Sequence, residues 1–148
     1  MTIDDLAQVR NAFVQAALRA LTAGIDLIEL HMAHGYLLHQ FLSPLSNQRS
    51  DNYGGSSGNR MRYPLEVFDA VRQAIPAEVP LGVRVSATDW VDGGWNEDET
   101  EALCQRLLSM GCDFFDISSG GLSAAEKIPV RPGNQVPIAV RFKKIVAH

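Results

Sequence analysis

The sequence predicts an α/β fold in which parallel strands alternate with helices. Three observations support this prediction: apolar residues recur at helical spacing in four segments, three short runs rich in apolar and β-branched residues lie between them, and polar residues gather where the runs end. Strands that alternate with helices pair in parallel, and active sites gather at the carboxyl ends of such strands. No G-x-G-x-x-G string follows any run, which counts against an open dinucleotide-binding sheet.

The predicted elements form a helix followed by three strand–helix units. Thr2 can cap the first helix, with Asp5 as its reciprocal partner. The predicted strands are residues 25–30, 81–86 and 114–117, and the later helices are residues 60–74, 97–110 and 137–147. Residues 43–59 are dense in serine, asparagine, aspartate and glycine, which predicts a loop whose length is typical of functional loops.

Composition excludes several classes of protein. The chain has 148 residues, of which 46% are hydrophobic and 20% charged, as in an ordered globular domain. The net charge is −4 without a basic stripe, so nucleic acid is not an expected partner. No apolar run is long enough to span a membrane, and no signal peptide is recognisable. Cys104 and Cys112 do not form a disulfide framework, and we interpret them as reduced thiols of a cytoplasmic protein.

Two imidazoles and a phenol follow the first predicted strand. Paired N–H donors from His31 and His34 could hold a carbonyl or phenolate oxygen, while Tyr36 donates a proton to an adjacent carbon. The histidines could instead be a structural pair whose hydrogen bonds are satisfied. With His39 they could also bind the metal of a small hydrolase, although Glu29 is expected to point to the opposite face from the neighbours of His31.

Arg84 lies in the middle of an apolar strand. A buried arginine needs a partner that is anionic or rich in hydrogen-bond acceptors. It could form an ion pair with Glu29 or Asp116, or it could face a cofactor that gains negative charge. The residue types alone leave both interpretations open.

Charged and aromatic residues around the long loop are expected to be structural. A loop this polar needs internal hydrogen bonds to hold its shape. We interpret five of its polar side chains as braces: Arg49, Asp51, Asn59, Arg60 and Arg62. Trp90 and Trp95 are expected to pack this region rather than to cover a site.

Four strings of the chain resemble flavoproteins of the old yellow enzyme family, most closely the bacterial branch that includes xenobiotic reductases and thermostable ene-reductases. The strings are H-x-A-H-G-Y-L at residues 31–37, R-x-D-x-Y-G-G-S-x-x-N-R at residues 49–60, V-R-V-S at residues 83–86 and D-I-S-S-G-G at residues 116–121. The resemblance covers essentially the whole chain, and strings of this length are far more specific than a lone glycine motif.

This resemblance implies a (β/α)₈ TIM barrel that holds FMN at its C-terminal face and takes reducing equivalents from NAD(P)H. It implies that the enzyme reduces activated alkenes, such as enones and related electrophiles, by hydride transfer from the flavin N5. By resemblance, His31 and His34 bind the electron-withdrawing oxygen of the substrate, and Tyr36 is the catalytic proton donor. Arg84 corresponds to an arginine that contacts the cofactor beside the flavin N1 and O2.

The resemblance also implies that residues 1–148 are a single segment with the fourth to sixth strands of the barrel. A complete barrel needs about 250 residues, so we expect two open sheet edges and an uncovered apolar face. We expect the chain to self-associate, to be completed by the missing barrel half or to be marginally stable. Alone it is expected to show weak or no FMN binding and no turnover. The competing interpretation is a truncated, non-catalytic relative that serves only as a structural or assembly module.

Overall fold

In the computed structural model, which describes residues 1–146, three parallel strands form one sheet in the order β1-β2-β3. The strands are β1 (Ile28–Met32), β2 (Leu81–Ser86) and β3 (Phe114–Ser118). The helices are α1 (Ile3–Thr22), α2 (Leu37–Leu42), α3 (Ser57–Ala74), α4 (Glu97–Ser109) and α5 (Val136–Val146). Helices therefore connect each strand to the next, as parallel pairing requires. Within the described residues, no helix combines the length and apolar character needed to cross a membrane.

The predicted order of the three strands and the four long helices is confirmed; the differences are the ends of these elements and one additional short helix, α2. β1 begins at Ile28 rather than Ile25, and the six-residue helix α2 is too short to give a periodic signal. α3 begins before the predicted position because the Ser56 hydroxyl accepts a hydrogen bond from the Asn59 N–H and caps the helix. The predicted end of the last helix, Ala147, lies outside the described residues.

The capping box predicted at the start of α1 is present. The Thr2 N–H donates to the Asp5 carboxylate at 2.7 Å, and the Asp5 N–H donates to the Thr2 hydroxyl at 3.1 Å. These hydrogen bonds hold the pKa of Asp5 below its usual value. α1 packs on α3, where the buried Tyr63 hydroxyl donates to the Leu6 carbonyl at 3.1 Å. The first helix is thereby fixed to the layer that covers the sheet.

The two faces of the sheet differ in chemistry. Residues at the same level of neighbouring parallel strands point to the same face. The face that packs on the helices is apolar and carries Ile28, Leu30, Met32, Leu81, Val83, Val85, Phe115 and Ile117. The opposite face, here called the open face, carries three levels: Glu29, Gly82 and Phe114; His31, Arg84 and Asp116; and Ser86 and Ser118.

The prediction that an uncovered apolar face would meet water is wrong for this sheet. Along the three strands, Phe114 is the one large apolar side chain of the open face, and its neighbours are charged or polar. Its ring lies across β2, because a Cβ built on Gly82 would be 2.3 Å from the ring atoms. The missing side chain at position 82 thus lets the aromatic ring cover the sheet.

Hydrogen bonds within the long loop confirm that its polar side chains brace it. Arg49 and Asp51 form an ion pair at 2.5 Å, and the Asn59 side chain donates to the Gly54 carbonyl at 3.1 Å. The ion pair raises the pKa of Arg49 and lowers that of Asp51. Both residues are partly exposed, so this pair orders the loop more than it stabilises the fold.

Arg60 is the central brace and is almost fully buried. Its guanidinium donates to the carbonyls of Leu42 and Gly55 and forms an ion pair with Glu99 at 2.5 Å. The neighbouring Arg62 donates to the backbone of the loop at 2.8 Å. Arg60 therefore joins α2, the loop and α4, which fixes the segment that leads from β1 to α3.

The tryptophans and cysteines have the structural roles that the sequence predicts. Trp95 is buried in the core beneath the Arg60 guanidinium, which lies 5.8 Å from its ring centre. Trp90 packs against the small apolar cluster formed by α5 and α4. Cys104 and Cys112 are free and buried, and burial raises the pKa of each thiol to about 12. These thiols are therefore protonated and unreactive near neutral pH.

Candidate active site

One hydroxyl connects the ends of all three strands. Ser86, the last residue of β2, accepts a hydrogen bond from the His34 N–H at 3.1 Å. The same hydroxyl donates to the Gly120 carbonyl after β3 at 2.8 Å. Because Ser86 is fully buried, the turn after β1 and the turn after β3 are held at a fixed separation.

The backbones of the turns after β1 and β3 are in direct contact. A Cβ built on Gly35 would lie 2.6 Å from the Gly121 carbonyl oxygen, and one built on Gly121 would lie 2.7 Å from the His34 Cα. Both glycines also have positive φ, +74° and +88° respectively. Their missing side chains therefore allow the close approach, and their conformational freedom allows the turns.

Replacing Gly35 by alanine is expected to lower the stability of the protein more than the same change at Gly93. Both glycines have φ +74°, so both variants incur the left-handed strain of about 1–2 kcal/mol. Gly93 has open space around its Cβ position, whereas Gly35 meets the Gly121 carbonyl. The overlap should cost about 1–3 kcal/mol more. Urea unfolding of the two variants measures the difference, and equal losses would show that the turns separate freely.

The structure brings the three aromatic residues predicted after the first strand together. The ring centres of His31 and His34 are 5.3 Å apart, and those of His31 and Tyr36 are 5.2 Å apart. The side chains of His31 and His34 are partly buried, whereas Tyr36 is 65% exposed. The phenol therefore lies at the mouth of the site and the imidazoles line its wall.

The imidazole of His34 is anchored to the third strand. Its Nε2 lies 2.7 Å from the Ser118 hydroxyl, and its backbone has φ +55°, in the left-handed region that non-glycine residues seldom adopt. Ser118 lies on the open face at the end of β3. The turn after β1 is thus joined to the ends of β2 and β3, through Ser86 and Ser118, so residues from or next to all three strands form one site.

Arg84 occupies the centre of the open face, level with His31 on β1 and Asp116 on β3. Its guanidinium lies 3.4 Å from the Asp116 carboxylate, so the structure selects Asp116 rather than Glu29 as its ion-pair partner. Both side chains of this pair are about two fifths exposed, which makes the pair weak. Arg84 Nε is buried and has no hydrogen-bond partner among the described residues.

Both site imidazoles are held in their neutral form. Burial lowers the pKa of His31 and of His34, and the positive charge of Arg84 lowers both further. At neutral pH each ring therefore keeps one N–H donor and carries no charge. Two neutral imidazoles can donate hydrogen bonds to an oxygen atom, and they add no positive charge to that of Arg84.

Glu29 shares a face of the sheet with His31 but not with the buried His39. Residues i and i+2 of a strand share a face, so Glu29 lies on the open face with His31, one level below it. His39 points elsewhere: it is fully buried and hydrogen-bonded to Asp89 and to the Gly35 N–H. Within residues 1–146, no cluster of histidine, cysteine and carboxylate side chains is arranged to hold a metal ion.

Residues 1–146 match the NADH:flavin oxidoreductase / NADH oxidase family over their full extent. The chain belongs to this family. Membership agrees with the FMN and NAD(P)H that the sequence resemblance implies for proteins of this family.

Relatives in the NADH:flavin oxidoreductase family are well conserved over this segment. An NADH:flavin oxidoreductase of Gibberella zeae is 46% identical over 98% of this chain and 38% of its own length. An NADPH dehydrogenase of Bacillus subtilis is 44% identical over 97% of this chain and 42% of its own length. The chain thus spans about two fifths of the length of these relatives.

Solved structures of oxidoreductases share the fold. A 2-naphthoyl-CoA reductase in complex with 2-naphthoyl-CoA aligns with a TM-score of 0.88 at 30% identity, over 97% of this chain and 22% of that one. An asparagine-to-alanine variant of morphinone reductase in complex with tetrahydroNAD aligns with a TM-score of 0.69 at 31% identity, over 97% of this chain and 38% of that one. The predicted fold class, a partial (β/α)₈ barrel of three parallel strands with flanking helices, is confirmed.

Sequence reasoning missed the buried residues beneath the site. Asp89 is fully buried and accepts hydrogen bonds from His39 and Ser43. Its position three residues after the end of β2, where site residues are expected, was the available signal. Two of its partners, His39 and Ser43, lie more than forty positions away in sequence, so no local pattern could have identified them.

Proposed function

We propose that residues 1–148 form the central part of an FMN-dependent NAD(P)H oxidoreductase that reduces activated alkenes, and that they supply the fourth to sixth strands of its barrel. One observation carries the proposal: two neutral imidazoles and a phenol lie on the same side of the sheet as a central guanidinium with a buried, unpartnered N–H. Enones and related electrophiles are the substrates that this chemistry suits.

The surroundings of Arg84 fit a flavin ring. A buried N–H without a partner costs about 1–3 kcal/mol, so a hydrogen-bond acceptor placed beside it is strongly favoured. The edge of a flavin that carries N1 and O2 offers such acceptors and gains negative charge on reduction. Bound FMN would supply the hydride that is transferred to the alkene. The cationic side chain of Arg84 would hold the cofactor and stabilise its negative charge.

His31 and His34 would bind the carbonyl oxygen of the substrate through their N–H groups; His34 would donate from Nδ1, since its Nε2 accepts the Ser118 hydroxyl. Both rings are neutral because burial and Arg84 lower their pKa, so each donates without adding charge to the site. Negative charge grows on this oxygen as the alkene is reduced, and fixed donors stabilise it. Each well-placed donor of this kind lowers the reaction barrier by about 3 kcal/mol.

Tyr36 would deliver the proton that completes alkene reduction. Its ring centre lies 5.2 Å from that of His31, which keeps the phenol beside an imidazole that would hold the substrate oxygen. At 65% exposure it can exchange protons with water between turnovers. The carbon next to the activating carbonyl is the one that needs a proton after hydride has reached the other alkene carbon.

The open face and the sheet edges favour completion by further barrel strands over self-association. The open face is largely polar, with Glu29, Arg84 and Asp116 on it, so it offers little apolar surface for a second copy to bury. A groove of about 420 Å³ runs along the free edge of β3 and is lined in part by Phe115 and Phe142. A seventh strand with its helix would fill this groove and pair with the edge.

The proposed function is tested with the protein that contains this segment, loaded with FMN. We expect a flavin absorption band and reduction of cyclohexenone-type enones by NAD(P)H. Arg84→Gln should weaken FMN binding about tenfold, which corresponds to the loss of one charged hydrogen bond. Arg141→Gln is the matched control, because Arg141 pairs with acidic residues of α4 on the outer surface.

Two results would contradict the proposal. Equal FMN affinity of the Arg84→Gln and Arg141→Gln variants would exclude Arg84 from the cofactor site. A protein that binds no flavin and reduces no enone would instead be the truncated relative with a structural or assembly role. Flavin fluorescence titration and NAD(P)H oxidation assays separate these results.

A further inference from the structure

A fully buried imidazole–carboxylate pair lies directly beneath the candidate site. His39 on α2 and Asp89 after β2 are both inaccessible to solvent, and His39 Nε2 lies 2.8 Å from Asp89 Oδ1. Nothing in the proposed reaction uses either group. Burying two titratable side chains is costly unless every polar atom is paired, so their contacts indicate what they do.

The contacts of the pair determine which nitrogen of His39 carries its proton. The second carboxylate oxygen of Asp89 accepts from the Ser43 hydroxyl at 2.6 Å and from the Trp95 N–H at 2.8 Å. His39 Nδ1 accepts the Gly35 N–H at 2.9 Å and therefore carries no proton. The proton is on Nε2, which donates to the first carboxylate oxygen of Asp89.

The Gly35 N–H belongs to the turn that holds two site residues. His34 and Gly35 both have positive φ, +55° and +74°, and the left-handed conformation costs about 1–2 kcal/mol at a non-glycine residue. Other contacts hold the two sides of the turn: Ser86 accepts the His34 N–H, and the Gln40 side chain donates to the Gly35 carbonyl at 2.7 Å. His39 Nδ1 accepts the Gly35 N–H, which lies between these two contacts.

We propose that His39 and Asp89 are positioning residues, which hold the turn at Gly35 so that His34 faces the substrate oxygen and Tyr36 faces the adjacent carbon. This inference rests on the proposed function, since it assigns the pair a purpose in that site. An imidazole that fixes one backbone N–H controls the direction of the side chains on either side of it. A displacement of about 1 Å at such a site can slow a reaction about 10²-fold.

Variants of His39 in the flavin-loaded protein test the proposal. Glutamine can accept the Gly35 N–H through its carbonyl oxygen and donate to Asp89 through its amide, whereas leucine fills similar space and does neither. We expect His39→Leu to lower kcat for enone reduction about 10²-fold, and His39→Gln to stay within about threefold of the parent. Equal losses in the two variants would overturn the proposal, because bulk rather than hydrogen bonding would then be responsible.

Two measurements are independent of turnover. Nitrogen-15 NMR of the histidine side chains should show His39 as neutral with its proton on Nε2. Hydrogen exchange of the Gly35 N–H should be slow in the parent and in His39→Gln, and at least tenfold faster in His39→Leu. A proton on Nδ1, or equal exchange at Gly35 in all three proteins, would overturn the proposal even if enone reduction is normal.

A general loss of stability is controlled with Val71→Ala. Val71 is fully buried in α3, away from the turn, and its truncation should lower stability without changing kcat or exchange at Gly35. A Val71→Ala variant with the same kinetic defect as His39→Leu would contradict a positioning role. If the NMR and exchange results hold but no enone is reduced, the proposed function fails while the assignment of the turn stands.

Discussion

Replacing Tyr36 by phenylalanine is expected to slow the reduction of enones by roughly 10²- to 10⁴-fold, the usual contribution of a positioned proton donor. Reduction of the flavin by NAD(P)H should stay close to the parent rate, because that half of the cycle delivers no proton to carbon. Stopped-flow measurement of the two half-reactions separates these effects. A variant that slows both halves equally would point to a damaged site rather than to a lost proton donor.

The change at Tyr36 removes one hydroxyl and little else. The ring is 65% exposed, and its edge contact with His31 at 5.2 Å survives in phenylalanine, so the fold and the position of His31 should be preserved. Tyr53→Phe is the matched control, since the Tyr53 hydroxyl donates to Glu66 at 3.2 Å on the outer side of the helix layer. An enone rate that is unchanged in Tyr36→Phe would mean that water or another group supplies the proton.

Local patterns predicted those parts of the fold that short-range physics determines. Thr2 and Asp5 are three residues apart, and the capping box that they form depends on that spacing alone. Leu81–Ser86 was predicted to the residue, because Pro80 precedes it and its residues are apolar or β-branched apart from Gly82, Arg84 and Ser86. The site residues at the strand ends followed from the rule that parallel strands share one carboxyl edge.

The polar character of the open face was present in the sequence but was misread. In β1, Glu29 and His31 alternate with Ile28, Leu30 and Met32, which is the period-two pattern of a strand with one polar face. The expectation of an uncovered apolar face overlooked this pattern. The register of the three strands then aligns His31 with Arg84 and Asp116, and this alignment requires the sheet itself.

The buried residues beneath the site depend on long-range packing and could not be predicted. The contacts of Asp89 with His39 and Ser43 join the segment after β2 to the segment after β1, so they depend on the pairing of these two strands. A histidine and an aspartate fifty positions apart carry no periodic signal, and His39 was instead considered as a metal ligand. Networks of this kind are identified by burial together with hydrogen bonds, which only a structure provides.

Replacing Asp89 by asparagine is expected to destabilise the protein by about 3 kcal/mol at neutral pH. The carboxylate accepts three hydrogen bonds, from His39, Ser43 and the Trp95 N–H. An amide has one accepting oxygen, so its NH₂ group must face at least one donor and leave it unpaired. Asp92→Asn is the control, because Asp92 is exposed in the same loop and its replacement should cost less than about 0.5 kcal/mol.

The pH dependence of this loss identifies the group responsible. Burial acts to raise the pKa of Asp89, but the hydrogen bonds from His39, Ser43 and Trp95 outweigh it, so the pKa in the folded protein lies below the usual 3.8. A carboxyl group with a depressed pKa stabilises the fold fully above its unfolded pKa and ceases to do so as the pH falls through the folded pKa. In urea unfolding, the difference between parent and Asp89→Asn should therefore stay constant from pH 7 to about pH 5 and shrink below about pH 4. A difference that fades near pH 6 would assign the loss to protonation of a histidine instead of the carboxylate.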